Sequence, residues 1–332
     1  MKWGIKMEGI ISLFPPSMKD AIKHVVNKRW TTIQEIRIRI GRPVELIFDD
    51  HEEWLNHLIP RKDDGVFIIN QLSQFSLYRI EDELREGFIT IEGGHRVGLA
   101  GKVNTVSGAV KAIKHITSFN IRIAKEKVGV STNYIPYLFH EKQYRNTLII
   151  GPPQTGKTTL LRDFARLIST GWGRVQPFKV GIIDERSEIA GCIDGVPQHD
   201  VGIRTDIMDA CPKAEGLMMM IRSMSPDVIV VDEIGSEEDV RALMEALHAG
   251  VKIVCSVHGE SLFDLKKRPS LQQLFDYGAF DRYICLSKNE KPGMIDGILT
   301  NDGQNILKKP RCTQDEMDRG TSAIKRYHMG GV

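Results

Sequence analysis

The chain has 332 residues, of which 41% are hydrophobic and 27% charged, and its formal net charge is +2 at pH 7. This length is enough for two domains with cores of their own, and the composition is that of a soluble globular protein. The near-balanced charge gives no electrostatic reason to expect strong nucleic-acid binding. The five cysteines include no C-x-x-C pair, which argues against a zinc site or a disulfide framework. No segment predicts a transmembrane helix, because the apolar run at residues 9–14 is short and ends at two prolines, so we expect a cytoplasmic protein.

The first third of the chain predicts a small region of mixed α and β structure. Apolar residues at helical spacing predict a helix over residues 17–26, with Ser17 as its N-cap, and a second helix over 70–86. Isoleucines alternate with charged residues over 33–40, which is typical of a half-buried strand, and a turn leads to a second strand at 44–48. Another hairpin is predicted over 88–100 and carries Arg96, and a further strand at 118–122 ends in Arg122.

From residue 147 the pattern changes to alternating strands and helices, which predicts a mostly parallel sheet with crossover helices. The strands are predicted at 147–150, 180–184, 228–232, 252–257 and 283–286. Several are continuous Val/Ile runs, as in strands buried on both faces. We therefore expect an α+β N-terminal domain over 1–130, a linker over 131–145, an α/β domain over 146–309 and a polar tail over 310–332.

Residues 151–159 read Gly-Pro-Pro-Gln-Thr-Gly-Lys-Thr-Thr and fit the phosphate-loop pattern G-x-x-x-x-G-K-[ST]. A predicted strand before the loop and a predicted helix after it distinguish a phosphate site from a chance glycine-rich turn. Backbone N–H groups would bind the phosphates of ATP, Lys157 would contact their oxygens, and the Thr158 hydroxyl would ligate Mg²⁺. The predicted nucleotide-binding residues are Gly151, Pro152, Pro153, Gln154, Thr155, Gly156, Lys157, Thr158 and Thr159.

Polar side chains follow two further strands, at the strand ends where α/β proteins bind ligands. Asp232 and Glu233 end the strand at 228–232, and we assign Asp232 to the metal and Glu233 to activation of the attacking water. His258 follows the strand at 252–257, where it would sense the γ-phosphate or, as most lone histidines do, serve the structure alone.

A second acidic segment follows the strand at 180–184 and contains Asp184, Glu185 and Glu188. Three acids within five residues could contribute to a metal and water shell, or they could form a solvated loop with no function. Arginines are also numerous, and an arginine often stabilises the charge on phosphoryl oxygens in the transition state. The residue pattern by itself does not identify which arginine would do so.

These motifs together resemble the motor ATPases of type II and type IV secretion. In that family a Pro-Asp-x-Ile-x-x-x-Glu strand, matched here by residues 226–233, precedes a helix and a strand that ends in a histidine motif. Residues 184–188 resemble the acidic box of the family, and residues 93–101 and 118–122 resemble its arginine-bearing N-terminal strands. The resemblance is closest to the sporulation branch of the group, found in endospore-forming bacteria, and extends over nearly the whole chain.

The resemblance implies a RecA-like P-loop ATPase core in a hexameric ring, where Arg96 and Arg122 approach the nucleotide of a neighbouring subunit. It implies an ATPase on the mother-cell side that energises or assembles a transport channel, with membrane proteins of that channel as partners at the membrane facing the forespore. The catalytic residues it implies are Glu233, Asp184, Glu185, Glu188, His258, Arg96 and Arg122. The family usually has Gly where this chain has Asp232, and Glu before Asp in the acidic box, so the division of roles among the acids stays open.

Two other functions fit the same core. One is a RecA-like ATPase that binds single-stranded nucleic acid, although the tail after Pro310 has neither glycine-arginine repeats nor aromatic residues interleaved with basic ones. The other is a scaffold that binds ATP to assemble and hydrolyses little. A Glu233→Gln variant distinguishes the motor from the scaffold, because only the motor needs the water-activating acid.

Overall fold

The computed structural model describes residues 2–27, 29–74, 81–106, 109–288 and 292–307. Two large β-sheets organise these residues, one in the N-terminal region and one in the C-terminal region. The predicted tail at 310–332 lies outside the described residues.

The N-terminal region is a six-stranded antiparallel sheet with helices packed against it. The strands are β1 (Ile33–Arg39), β2 (Val44–Phe48), β3 (Glu52–Leu55), β4 (Phe88–Ile91), β5 (His95–Val106) and β6 (Ala109–Arg122), in the order β3-β2-β1-β6-β5-β4. The helices are α1 (Lys2–Ser12), α2 (Pro16–Val26), α3 (Lys62–Leu72) and α4 (Glu81–Glu86). Ile36 and Ile38 of β1 are fully buried, whereas Arg37 and Arg39 form ion pairs on the other face, as the alternating pattern predicts.

Several details of this region differ from the sequence prediction. Helix α1 was not predicted, and β5 and β6 are longer than the predicted strands. Ser17 is not the N-cap of α2, because the helix begins at Pro16, and the Ser17 hydroxyl donates instead to Asp64 of α3 at 3.3 Å. The helix predicted over 70–86 is wrong in its bounds: α3 ends at Leu72, since Gln74 has a left-handed φ of 49° that a helix cannot pass through, and α4 starts separately. Residues 75–80 of that prediction lie outside the described residues. Strand β3 was not predicted, because only one of its side chains, Leu55, is buried.

The C-terminal region is a seven-stranded sheet covered on both faces. Its strands are β9 (Thr147–Gly151), β10 (Val180–Asp184), β11 (Thr205–Asp209), β12 (Val228–Val231), β13 (Lys252–His258), β14 (Arg282–Leu286) and β15 (Ile295–Thr300). The order is β11-β10-β12-β13-β9-β14-β15, and every neighbouring pair is parallel except β14–β15. The helices are α5 (Lys157–Thr170), α6 (Lys213–Met224), α7 (Glu237–His248), α8 (Leu262–Leu265) and α9 (Gln272–Tyr277).

Alternate residues of the parallel strands enter two separate cores. Ile149 of β9 packs in one core with α5, and its neighbours Leu148 and Ile150 pack in the other with α6 and α7. This three-layer arrangement is why the strands are apolar on both faces. The strands β11 and β15 were not predicted. They are the edge strands of the sheet, β11 is half-buried along its whole length, and β15 is interrupted by the exposed Asp296.

Residues 131–145 pack against the C-terminal region. A short 3-10 helix at Ile135–Leu138 and the hairpin of β7 (Phe139–His140) and β8 (Gln143–Tyr144) lie here, and Ile135, Leu138 and Tyr144 are buried in the core that contains α5. The division of the chain into domains with a linker at 131–145 remains our proposal.

The parallel strands bring their carboxyl ends to one edge of the sheet. The register pairs Gly151 of β9 with His258 of β13, and Val231 of β12 with Cys255 of β13. Residues that are far apart in sequence are therefore adjacent where the loop 151–159 leaves the sheet. Among the described residues, no helix combines the length and the apolar composition needed to cross a bilayer.

Candidate nucleotide-binding site

The loop 151–159 joins β9 to α5 through two positions that require glycine. Gly156 has a φ of 93°, a left-handed conformation that glycine adopts readily. A Cβ atom on Gly156 would lie 2.8 Å from the backbone nitrogen of Gly293, and one on Gly151 would lie 2.6 Å from Thr155 Oγ1. The loop leads directly into the N-terminus of α5, whose first N–H groups have no partner within the helix and can bind an anion.

The Lys157 side chain is folded back beneath the loop. Its Nζ donates to the carbonyl oxygen of Pro152 at 2.9 Å and lies 3.0 Å from His258 Nδ1, and the residue is only 4% exposed. Burial lowers the pKa of Lys157, and the nearby Glu233 and Asp232 carboxylates partly oppose this effect. The ammonium group is therefore held at the loop by polar partners that a phosphate could replace.

His258 connects Lys157 to Glu233. Its Nε2 lies 2.7 Å from Glu233 Oε1, while its Nδ1 faces the Lys157 ammonium, so we assign the proton of a neutral imidazole to Nε2 from these partners. The second carboxylate oxygen of Glu233 lies 3.4 Å from Arg186 Nη1. The predicted phosphate-binding lysine, histidine and water-activating acid thus form one continuous chain of contacts.

Asp232, the residue before Glu233, contacts the predicted metal ligand Thr158. The Thr158 hydroxyl donates to Asp232 Oδ2 at 2.8 Å, and the Ser256 hydroxyl donates to Oδ1. Burial raises the pKa of Asp232, and the hydrogen bonds from Ser256 and Thr158 act against that rise.

The pair of Thr158 and Asp232 fits Mg²⁺ because hydroxyl and carboxylate oxygens are the donors that this ion accepts. Across the part of the chain that the structure describes, there is no group of three or more His, Cys, Asp or Glu side chains that could hold a metal ion. A Mg²⁺ ion here would therefore also need phosphate or water oxygens, which is the usual arrangement where Mg²⁺ binds with a nucleotide.

Asp184 is directed into its own loop. It is 2% exposed, and its carboxylate accepts the backbone N–H groups of Glu188, Ile189 and Ala190 at 2.8, 3.0 and 2.8 Å. Burial raises its pKa, and these hydrogen bonds oppose the rise. Asp184 therefore holds the backbone of the acidic segment in place. The sequence did not predict these three backbone donors.

The other acids of this segment form ion pairs. Glu185 pairs with Lys213 of α6, and Glu188 pairs with Arg96 of β5 at 2.7 Å. A cavity of about 20 Å³ separates this segment from the acids that follow β12. Its lining residues are Asp184, Glu185, Arg186, Glu188, Lys213, Asp232 and Glu233.

The two predicted trans-acting arginines lie opposite each other on neighbouring strands. Arg96 of β5 pairs in register with Arg122 of β6, and its guanidinium stacks 3.7 Å from the ring centroid of Phe88. The Arg122 side chain is 60% exposed and lies 3.4 Å from Glu35. In the single chain, therefore, Arg96 is held by the acidic segment of the same chain through Glu188, a contact that the sequence did not predict.

Sequence reasoning also missed Ser256 and Gly293. Ser256 is a fully buried serine between Cys255 and Val257, and a single hydroxyl in an otherwise apolar strand was a signal that could have identified it. Gly293 donates its backbone N–H to the Thr155 carbonyl at 2.8 Å, so the segment before β15 contacts the phosphate loop. Nothing in the local pattern indicates that contact.

Comparison with known proteins gives the chain a family and its fold. Residues 5–306 match the family model described as "Sporulation stage III, protein AA". The chain is 54% identical over 303 residues to Stage III sporulation protein AA of Bacillus subtilis (strain 168), covering 91% of this chain and 98% of that protein.

Two solved structures share the architecture at low sequence identity. The Legionella pneumophila ATPase DotB superposes with a TM-score of 0.58 at 16% identity, covering 87% of this chain and 82% of that one. The pilus retraction motor PilT, solved with bound ADP, gives 0.55 at 15% identity, covering 80% and 77%. These likenesses confirm the predicted fold class, a P-loop core with a mostly parallel sheet after a smaller α+β region.

Proposed function

Because this chain belongs to the family of sporulation stage III protein AA, we propose that it is an Mg²⁺-dependent ATPase that acts as a motor for a transport channel during endospore formation. The observation that carries the proposal is the chain of contacts from Lys157 through His258 to Glu233, beside the Thr158–Asp232 pair. Phosphoryl transfer requires these groups together: a cation for the phosphates, an oxygen pair for the metal and an acid for the attacking water.

In the proposed reaction, the N–H groups of the loop and the Lys157 ammonium bind the phosphates. Thr158 and Asp232 hold Mg²⁺, which when bound neutralises phosphate charge. Glu233 orients the attacking water and accepts its proton, a role that its 24% exposed side chain leaves open to solvent.

His258 would link the binding of nucleotide at the loop 151–159 to the position of the Glu233 carboxylate. When the phosphates draw the Lys157 ammonium away, His258 Nδ1 loses its donor and becomes free to accept from another group near the phosphates. The same ring holds Glu233 through Nε2, so a shift of the imidazole moves the carboxylate as well. This coupling supports the predicted role of His258 as a sensor of the γ-phosphate.

The arginines would complete the site across a subunit boundary. We propose that Arg96 leaves Glu188 and, with the exposed Arg122, stabilises the phosphates bound to a neighbouring chain in a hexameric ring. We further propose that the ring docks on membrane proteins of the channel, as a peripheral protein on the mother-cell side, which is what the resemblance to secretion motors implies.

Purified protein tests the proposal through ATP turnover and binding of a non-hydrolysable ATP analogue. We expect Glu233→Gln to retain binding and to lose turnover by about 100-fold or more, because the acid acts on the water and not on the phosphates. Glu238→Gln is the matched control, since Glu238 is an exposed acid on α7 that pairs only with Arg241 among the ion pairs of the described chain.

Unchanged turnover in Glu233→Gln would refute the assignment of this acid. Normal sporulation with that variant, despite lost turnover, would favour the ATP-binding scaffold. Salt-sensitive binding of single-stranded nucleic acid with stimulated turnover would favour the nucleic-acid alternative.

A further inference from the structure

Ser256 lies at the point where β12 and β13 meet, directly beneath the two acids. It is fully buried in a strand whose neighbouring residues are apolar. The register pairs Val231 with Cys255, which brings the next residue of each strand, Asp232 and Ser256, side by side. A hydroxyl in this position is enclosed by protein and must find its partners there.

The hydroxyl and the carbonyl oxygen of Ser256 both bind the turn that follows β12. The hydroxyl donates to Asp232 Oδ1 and accepts the backbone N–H of Glu233 at 3.0 Å. The carbonyl oxygen of Ser256 accepts the backbone N–H of Ile234 at 2.9 Å. Three successive residues of the turn are thus fixed to a single residue of the neighbouring strand.

This attachment explains how Glu233 keeps an unfavourable backbone conformation. Its φ is 50°, in the left-handed region that costs about 1–2 kcal/mol for a residue with a Cβ. Such a conformation persists only where surrounding contacts determine it, and the Ser256 hydroxyl provides one at the Glu233 N–H. The conformation directs the carboxylate to His258 at 2.7 Å and Arg186 at 3.4 Å.

We propose that Ser256 is a positioning residue that sets the orientation of both Asp232 and Glu233 for hydrolysis, an inference that rests on the proposed ATPase function. It acts through the two acids and does not touch the nucleotide. Because the loop N–H groups and Lys157 would still bind the phosphates, its loss should reduce the rate of the chemical step far more than the affinity for nucleotide.

The experiment compares Ser256→Ala and Ser256→Thr with wild type in kcat, KM and affinity for a non-hydrolysable ATP analogue. We expect kcat of Ser256→Ala to fall about 10- to 100-fold, with KM and analogue affinity within about threefold of wild type. The reason is that the variant lacks the hydroxyl whose hydrogen bonds hold the two acids. Threonine retains the hydroxyl in a strand that favours β-branched residues, and should restore kcat to within about fivefold.

Ser169→Ala is the matched control for removing a buried serine hydroxyl. Ser169 is also fully buried, and its Oγ accepts the backbone N–H of Arg204 at 2.6 Å, far along α5 from the phosphate loop. We expect its kcat to stay within about twofold of wild type. Equal losses in Ser169→Ala and Ser256→Ala would assign the effect to general destabilisation and overturn the proposal.

Hydrogen exchange provides a readout that does not depend on turnover. In Ser256→Ala, exchange should speed up at the amides of residues 233–234 and stay unchanged in the loop 151–159. If wild-type protein binds the analogue but does not hydrolyse ATP, the proposed function fails. Hydrogen exchange then tests by itself whether Ser256 holds residues 233–234 in place. Wild-type exchange at 233–234 in Ser256→Ala, or wild-type kcat in an active enzyme, would refute the positioning role.

Discussion

The two sheets of this molecule place their polar residues in opposite ways. In the C-terminal sheet, the carboxyl ends of the parallel strands and the loop into α5 bring Lys157, Asp232 and His258 to one edge, where Lys157 contacts His258 and Asp232 contacts Thr158. In the N-terminal sheet, Arg96 and Arg122 lie on neighbouring antiparallel strands, held by separate carboxylates, and Arg122 is largely exposed. In our proposal, the C-terminal sheet assembles the reaction site within one chain, whereas the arginines of the N-terminal sheet act on the nucleotide bound to a second chain.

Lys157→Ala should produce the largest change, because it removes the only ammonium group directly at the phosphate loop among the polar contacts of the described residues. We expect affinity for ATP to fall about 1,000-fold, since a charge-assisted contact to phosphate in a partly buried site is lost. Titration calorimetry with the non-hydrolysable analogue measures this change. Lys179→Ala is the control, because Lys179 is a half-buried lysine before β10 that pairs with Asp227. Equal losses in both variants would contradict the assignment.

Asp163→Asn tests the junction between the two regions. Asp163 of α5 is 2% exposed and accepts hydrogen bonds from Gly129, Ser131 and Arg166, which fixes the chain after β6 to the phosphate-loop helix. We expect a loss of about 2–4 kcal/mol in the free energy of unfolding at pH 7, because a buried carboxylate with several donors is replaced. Denaturant titration measures it, and a loss under 1 kcal/mol would show that the junction is not anchored here.

The same residue predicts a pH dependence. Burial acts to raise the pKa of Asp163, but its hydrogen-bond donors together outweigh burial and hold the pKa below its ordinary value. A carboxyl with a lowered pKa contributes stability that is complete above the unfolded pKa and is lost as pH falls through the folded value. The stability difference between wild type and Asp163→Asn should therefore shrink in strong acid. A difference that grows below pH 4 would contradict this sign.

Arg96→Ala should lower ATP turnover of assembled protein about 10-fold and leave nucleotide affinity unchanged, because Arg96 would act on transition-state charge from the neighbouring chain. Steady-state turnover at high protein concentration measures this effect. Arg241→Ala, on the exposed face of α7, is the control. An unchanged rate in Arg96→Ala would remove this residue from the proposed site.

Glu35→Gln should have the smallest effect. Glu35 pairs with Arg37 at 2.7 Å and with Arg122 at 3.4 Å, near the surface of the N-terminal sheet. Such ion pairs contribute about 0–1 kcal/mol to the free energy of unfolding. The midpoint of thermal unfolding, Tm, should therefore fall by only a few degrees. A loss above 2 kcal/mol would show that this face of the sheet is not simply an open surface.

The sequence predicted what depends on neighbouring residues. The phosphate loop could be predicted because strand, loop and helix are consecutive, and Asp232 and His258 because each directly follows an apolar strand. The single hydroxyl in an apolar run could have marked Ser256, but its contact with Asp232 could not be predicted, since that contact depends on the pairing of two strands and joins residues 24 positions apart. The Arg96–Glu188 pair spans 92 residues and joins the N-terminal sheet to the loop that follows β10, and no local pattern encodes it.

The acidic segment shows a subtler limit. Asp184 was a candidate site residue in the sequence analysis, where the charges of residues 184–188 indicated either a metal and water shell or a solvated loop. In the structure the carboxylate accepts three backbone N–H groups from residues 188–190. Backbone donors carry no side-chain signature, so the fold of the following loop, and not residue identity, determines what Asp184 binds.

The most direct test of the contrast between the two sheets is to mix Arg96→Ala chains with Lys157→Ala chains and measure ATP turnover. Each variant alone should be slow. In a mixed assembly, an intact phosphate loop on an Arg96→Ala chain meets an intact arginine on a Lys157→Ala chain, so we predict turnover well above the average of the two. Turnover equal to that average would contradict the account, because it would place both halves of the site in one chain.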